Sequence, residues 1–207
     1  MKKNKFPLIL ASASPRRQEL LRSAGVPLKV IPSNADESFP RGEQPEKHVL
    51  RLAREKAQEI AEQFPDRWVL AADTVVVIGE RVLGKPKDRK EAGKMLRLFS
   101  GRQHRVITGY CLLHSGGRNG KEGYVTTQVV FKSLTPAEIR WYISTREPFD
   151  KAGGYAIQGQ GAFMVKGIVG SYTNVVGLPL CEVTEALKKS NAVKIFTAEN
   201  AEGAEKK

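Results

Sequence analysis

Residues 8–25 read LILASASPRRQELLRSAG: an apolar run, small hydroxyl residues, one proline and two adjacent arginines, and then a helix-like pattern. Ser12 and Ser14 can donate to or accept from backbone and ligand groups. Pro15 suits a first helical turn, and Arg16 and Arg17 offer planar forks matched to phosphate oxygens. A helix start already carries partial positive charge on its unpaired N–H groups, so two fixed cations there point to an anion at a strand-to-helix junction. The plainer alternative is a serine cap beside two solvated arginines.

Four more side chains have the right types for phosphate chemistry. Asp73 in LAADTVV ends a buried strand at the rim where open α/β sheets bind ligands; it could ligate Mg2+, serve as general base, or simply cap a turn. Lys85 in VLGKPKD follows a glycine that permits close approach and precedes a proline that fixes the loop, which suits a lysine gripping phosphate as well as a solvated turn lysine. Lys56 in RLAREKA and Glu37 in NADES are less telling singly, since a helix lysine and an acidic loop residue are normally solvated.

These residues have to be placed by a strand at 6–11, a helix at about 15–24, a strand at 27–32 and a polar loop over 33–45. A long helix over 45–63 follows, opening on Pro45 and Glu46. RWVLAADTVVVIGERVLG reads as two short strands, the first ending at Asp73, with a turn at Gly79-Glu80. A helix over 88–99 has apolar Ala92, Met95, Leu96 and Phe99 at helical spacing. HRVITGYCLLHSG and GYVTTQVVFKSL form a hairpin around the glycines of GGRNGKEG. A helix over 135–145 starts on a capping box, Thr135 with Glu138, and a glycine-rich stretch precedes a last helix over 179–189. Early alternation of helix and strand with antiparallel strands in the centre predicts an α/β fold: a mixed twisted sheet with flanking helices.

The 207 residues suit one domain over 1–190, with 191–207 a frayed, flexible tail. The apolar runs are too short to span a bilayer, and the first is broken by SASPRR before it could form a signal peptide. No membrane association and a cytoplasmic protein are therefore expected. Two cysteines without CxxC spacing, Cys111 and Cys181, are expected as buried free thiols. The net charge of +12 is uneven: nine basic residues between Arg81 and Arg105 face only Asp88 and Glu91. Such a run suits a polyanionic partner, nucleic acid or a nucleotide's phosphates, or else a solvated helix face.

Taken together, LILASASPRRQELL, ADESF, LAREKA, LAADTVVVIGERVLGKPKD, MLRLFSGRQHRVITGY, AGGYAIQGQGAFMV and GSYTNVVGLPL resemble the Maf family of nucleoside triphosphate pyrophosphatases, in family order over about residues 8–182. LFSG at 98–101 departs slightly from the family's usual pattern and touches no candidate residue. The resemblance implies a fold similar to inosine triphosphate pyrophosphatase, two lobes around a cleft, and hydrolysis between the α- and β-phosphates with a divalent metal, Mg2+ or alternatively Mn2+. SPRR with ADT and YAIQGQG looks like the subgroup acting on dTTP and UTP; the subgroup preferring 7-methyl-GTP carries other residues there. Carried over by position, Asp73 is the catalytic proton acceptor, and Arg16, Thr74 and Gln158 are tied to base preference. Ser12, Arg16, Arg17, Lys56 and Lys85 line the phosphate path, and Glu37 and Asp73 lie at the metal. Gln158 can donate and accept at once, as the O4 and N3–H edge of uracil or thymine requires. A homodimer is also implied. The rival reading is a nucleic-acid-binding or cell-division regulatory protein. It lacks a helix-turn-helix, zinc or RNP-type motif, and its aromatics are not interleaved with the basic run.

Overall fold

In this computed structural model, which describes residues 7–114 and 118–193, the chain runs β1 (Leu8–Leu10), α1 (Pro15–Ser23), β2 (Leu28–Val30), α2 (Pro45–Gln63), β3 (Val69–Ile78), β4 (Arg81–Leu83), α3 (Arg89–Phe99) and β5 (Gln103–His114). It continues through β6 (Arg118–Phe131), α4 (Pro136–Ser144), three 3-10 turns (Glu147–Asp150, Ala152–Gly154, Gly159–Met164), β7 (Val165–Val169), α5 (Tyr172–Val176) and α6 (Leu180–Lys189). One mixed sheet has the order β2-β1-β3-β5-β6-β7, with β4 also on β3. The expected α/β class and flanking helices are present, and the capping box of Thr135 and Glu138 opens α4. The tail from 194 and part of the expected glycine turn, 115–117, lie outside the described residues. No described helix is long and apolar enough to cross a membrane.

Two expectations need correction. β3 does not end at Asp73. It pairs with β5 without interruption from Val69↔Leu113 to Val77↔Arg105, so the ladder carries the carboxylate through the middle of a buried strand. The glycine-rich stretch is not featureless: β7 pairs with β6 inside it and α5 follows. Its short elements fall below the length at which periodicity can be read.

Alternation along β3 sorts the core. Residues 69, 71, 75 and 77 pack on one face beneath α2; residues 70 and 72 join the cluster under α1 and α6, and 76 and 78 the cluster under α3 and α4. The helix α2 lies very close to the sheet because β5 has a glycine where they meet. A Cβ on Gly109, which pairs with Asp73, would come within 2.6 Å of the Val49 backbone.

The functional feature of this sheet is a gap. On one edge, β3 pairs with β1 only at Val69 and Leu70 and with β4 only from Val76 to Ile78, so the backbone around Asp73 has no strand beside it. Arg17 fills part of that gap. Its Nη1 donates to the Ala72 carbonyl at 2.8 Å and to Ser12 Oγ at 3.1 Å, its Nη2 to Thr74 Oγ1 at 3.0 Å, and its Nε to the Gly177 carbonyl at 2.8 Å. One guanidinium thus ties α1, β3 and the end of α5 together.

Two outcomes follow from this packing. Arg17→Ala leaves buried carbonyls without donors and should lower the unfolding free energy by about 3 kcal/mol, read as a shifted urea midpoint, with Arg17→Lys recovering only part because it cannot fork. His104 sits among Phe99, Phe131 and Tyr155 with a 2.7 Å bond between Nε2 and the Tyr155 hydroxyl, and burial pushes its pKa down to about 4. The unfolded chain takes up that proton first. Stability is therefore complete above pH 6.5 and falls by about 3 kcal/mol as pH drops towards 4, and His104→Gln should flatten that slope in pH-dependent melts.

Candidate active site

A cavity of about 370 Å3 opens over the gap in the sheet, and all nine side chains singled out from the sequence line it: Ser12, Arg16, Arg17, Glu37, Lys56, Asp73, Thr74, Lys85 and Gln158. They arrive from the β1–α1 junction, the loop before α2, α2 itself, β3, the loop after β4 and the turn before β7. At its centre, Lys56 Nζ donates to Asp73 Oδ1 at 2.8 Å and to Glu37 Oε1 at 2.7 Å, with Lys85 Nζ 3.9 Å from Glu37 Oε2. The charges alternate Asp73, Lys56, Glu37, Lys85. Among the described residues Asp73 Oδ2 has no protein partner, which leaves that oxygen for water or ligand. Burial raises the Glu37 carboxyl's pKa, but the Lys56 hydrogen bond and the charges of Lys56, Lys85 and Arg17 outweigh it, and Glu37 ends below the usual carboxylate range.

Lys56 is not the solvated lysine that a helix position taken alone would suggest. It is 5% exposed, and the buried positions of α2 after His48 run Val49, Leu52, Ala53, Lys56, Ala57, Ile60, Ala61. A lysine on the apolar stripe of a helix is driven against the sheet, where its ammonium must find carboxylates. That phase was visible in the sequence and was the signal that could have singled it out. The loop bearing Glu37 is anchored to the same helix: the Asn34 amide donates to Glu59 at 3.0 Å, the Phe39 ring lies 4.1 Å from that of His48, and Glu43 joins both His48 and Arg51.

The arginine pair divides. Arg17 gives four of its N–H groups to protein acceptors, and burial lowers its pKa against the opposing pull of Asp73 and Glu37. A guanidinium has five N–H donors, so Arg17 has little left for a ligand and serves mainly as a wall tie. Arg16 is held at the mouth by Asp150, Nη1 to Oδ2 at 3.3 Å. Thr74 Oγ1, which accepts from Arg17, also lies 2.9 Å from Thr108 Oγ1, and Thr108 donates to the carbonyl of the fully buried Asn174. Asn174 Nδ2 donates in turn to the Val106 carbonyl and Thr127 Oγ1, so one polar chain locks α5 onto the sheet. Gln158 sits in extended backbone at the entrance to the last 3-10 turn. Part of the cavity wall is apolar: Val76, Val106, Tyr155 and Val175 belong to the cluster under α3 and α4. A charged half beside an apolar half fits a ligand with a polyanionic end and a flat, weakly polar end.

Reading the residues alone missed Asp150, Lys151 and Tyr155, which also line the cavity. Asp150 and Lys151 stand in EPFDK, an acid and a base immediately before the glycine-rich stretch, and that was the available hint. Of the basic run from 81 to 105, only Lys85 borders this cavity. Arg89, Lys90 and Arg97 line a separate groove with Arg140 between α3 and α4. Cys111 is buried, its thiol pushed up to about 12 by burial, but Cys181 is exposed, because it lies on the outer side of α6's apolar stripe. Among the described residues, no three His, Cys, Asp or Glu side chains gather to hold a metal ion. Glu37 and Asp73 nevertheless suit a hard cation that takes one or two carboxylates and completes its shell with water and substrate phosphates, which is how Mg2+ is usually held.

A protein 55% identical over 181 residues, covering 87% of this chain and 88% of its own length, is the dTTP/UTP pyrophosphatase of Syntrophus aciditrophicus (strain SB). The dTTP/UTP pyrophosphatase of Geotalea uraniireducens (strain Rf4) is 50% identical over 194 residues, 94% of this chain and all of the other. Among solved structures, a nucleoside-triphosphatase/dITP/XTP pyrophosphatase from Mycobacterium abscessus aligns over 90% of this chain and 96% of its own, with a TM-score of 0.42 and 14% identity. The family model described as Maf-like protein matches residues 7–190 and takes in every side chain that lines the cavity, and by that match this chain belongs to the Maf family.

Proposed function

We propose that this chain hydrolyses dTTP and UTP to the nucleoside monophosphate and pyrophosphate. The observation that carries the reading is Lys56: a buried ammonium bridging Asp73 and Glu37 at the floor of a cavity whose mouth holds Arg16 and Lys85. The names of the relatives from Syntrophus and Geotalea support the activity and the pyrimidine preference.

In this reading the triphosphate lies along the charged half and the base against Val76, Val106 and Tyr155, with Gln158, Thr74 and Arg16 at its polar edge. Asp73 Oδ2 takes a proton from a water molecule as the water oxygen bonds to the α-phosphorus. The bond from that phosphorus to the α,β-bridging oxygen breaks, and pyrophosphate leaves with the electron pair. Lys56 holds Asp73 in place, while Lys85 and Arg16 neutralise the phosphate oxygens as negative charge moves to the leaving group. Ser12, beside Arg17, offers a hydroxyl to the same oxygens. The Maf family suggests a divalent cation. Held by Glu37 and Asp73 with the phosphates, Mg2+ would supply further neutralisation there.

Asp73→Asn should reduce kcat for pyrophosphate release from dTTP and UTP, measured with Mg2+ on folded protein below its melting temperature, by at least about a hundredfold. Near-parental turnover by that variant would remove Asp73 from the role of base.

A further inference from the structure

We propose that the 3-10 turn Glu147–Asp150 is the strut that sets base selectivity: Asp150 positions Arg16, and Glu147 positions the segment that presents Gln158. Neither carboxylate touches the reacting atoms in the reading above, on which this inference rests. Both are positioning residues.

Glu147 acts as a three-point anchor. Its Oε1 accepts from the Tyr142 hydroxyl at 3.0 Å and from the Gly161 amide at 3.1 Å, and its Oε2 accepts from the Gln160 amide at 3.0 Å. Tyr142 is fully buried, and its hydroxyl oxygen also accepts from the Ala156 amide at 3.1 Å. The segment from Ala156 to Gly161 is therefore pinned on both sides of Gln158 by one carboxylate and one phenol. The packing is tight enough to dictate glycine. Gly159 has φ +72°, and a Cβ there would meet Glu147 Oε2 at 2.9 Å; a Cβ on Gly161 would meet the Tyr142 hydroxyl at 2.8 Å.

The same turn reaches the start of α1 through Asp150. Its Oδ1 accepts from Lys151 Nζ at 2.5 Å and its Oδ2 from Arg16 Nη1 at 3.3 Å, so it links the start of α1 to a residue 134 positions away in the chain. Lys151 Nζ closes the turn by donating to the Glu147 carbonyl at 2.7 Å. The turn is entered through Arg146 at φ +65°, a left-handed conformation that a residue with a side chain keeps only where its surroundings hold it. One side chain of the cavity, Arg16, and the backbone that follows another, Gln158, are thus held from behind by carboxylates three residues apart.

The test compares dTTP with ATP as substrates, reading kcat and KM separately, for the parent, Glu147→Gln and Asp150→Asn. An amide at 147 cannot accept all three bonds, because its NH2 would face a backbone N–H. The expected result for Glu147→Gln is a KM for dTTP raised about tenfold with a smaller fall in kcat, and a dTTP-to-ATP ratio of kcat/KM reduced about tenfold. Asp150→Asn, at an exposed side chain that bears little on folding, should reduce the same ratio by releasing Arg16. Equal losses on both nucleotides, or an unchanged ratio in both variants, would overturn the strut while leaving the dTTP/UTP reading intact. A parent enzyme that releases no pyrophosphate from dTTP would overturn both.

Discussion

A buried strand that loses its neighbour halfway along must satisfy its backbone some other way. That constraint organises this molecule. β3 has β5 from Val69 to Val77 on one side but only β1 and β4 on the other, and the two do not meet. The unpartnered stretch holds Ala72, Asp73 and Thr74, and the Ala72 carbonyl finds its donor in Arg17 rather than in a strand. Closing the gap with another strand would have made a stronger sheet and no site. Leaving it open places one carboxylate and one hydroxyl of a rigid strand at the base of a cavity, with the surrounding ladder preventing either from moving.

The carboxylate then requires a counter-charge. Burying an ionised group without a partner is among the costliest things a fold can do, and a lysine driven into the interior by the phase of its helix has the same problem with the opposite sign. Lys56 and Asp73 solve each other's desolvation, and Glu37 makes the arrangement net negative before Lys85 and Arg16 are counted. Gly109 allows it geometrically, because only a residue without a Cβ lets α2 lie so close to the strand beside Asp73. Stability and chemistry therefore draw on the same contacts.

The apolar half of the cavity comes from a different cluster than the charged half. Val76, Val106 and Tyr155 are the outer surface of the core beneath α3 and α4. The polar chain from Thr74 through Thr108 to Asn174 stitches that core to the α1 side across the gap. A ligand that spans both halves is in contact with both parts of the core at once.

The residue types, their order and the periodicities were enough to anticipate the mixed sheet, the long α2 and the capping box of α4, and to single out Ser12, Arg16, Arg17, Asp73 and Lys85, since local pattern depends only on near neighbours in the chain; Thr74 and Gln158 came only with the family resemblance, which also gave Lys56 and Glu37 their roles. The sequence was silent on the continuity of β3 past Asp73, because an acidic residue inside an apolar run looks like a strand end until a partner strand is known. It was equally silent on the short elements of the glycine-rich stretch, on Arg17 as a tie rather than a free cation, and on Asp150 as the partner of Arg16 from 134 residues away. Those depend on which carbonyls and carboxylates end up facing a given side chain. Only the tertiary structure decides that, because hydrogen bonds and ion pairs form between groups that packing brings within about 3 Å, whatever their separation along the chain.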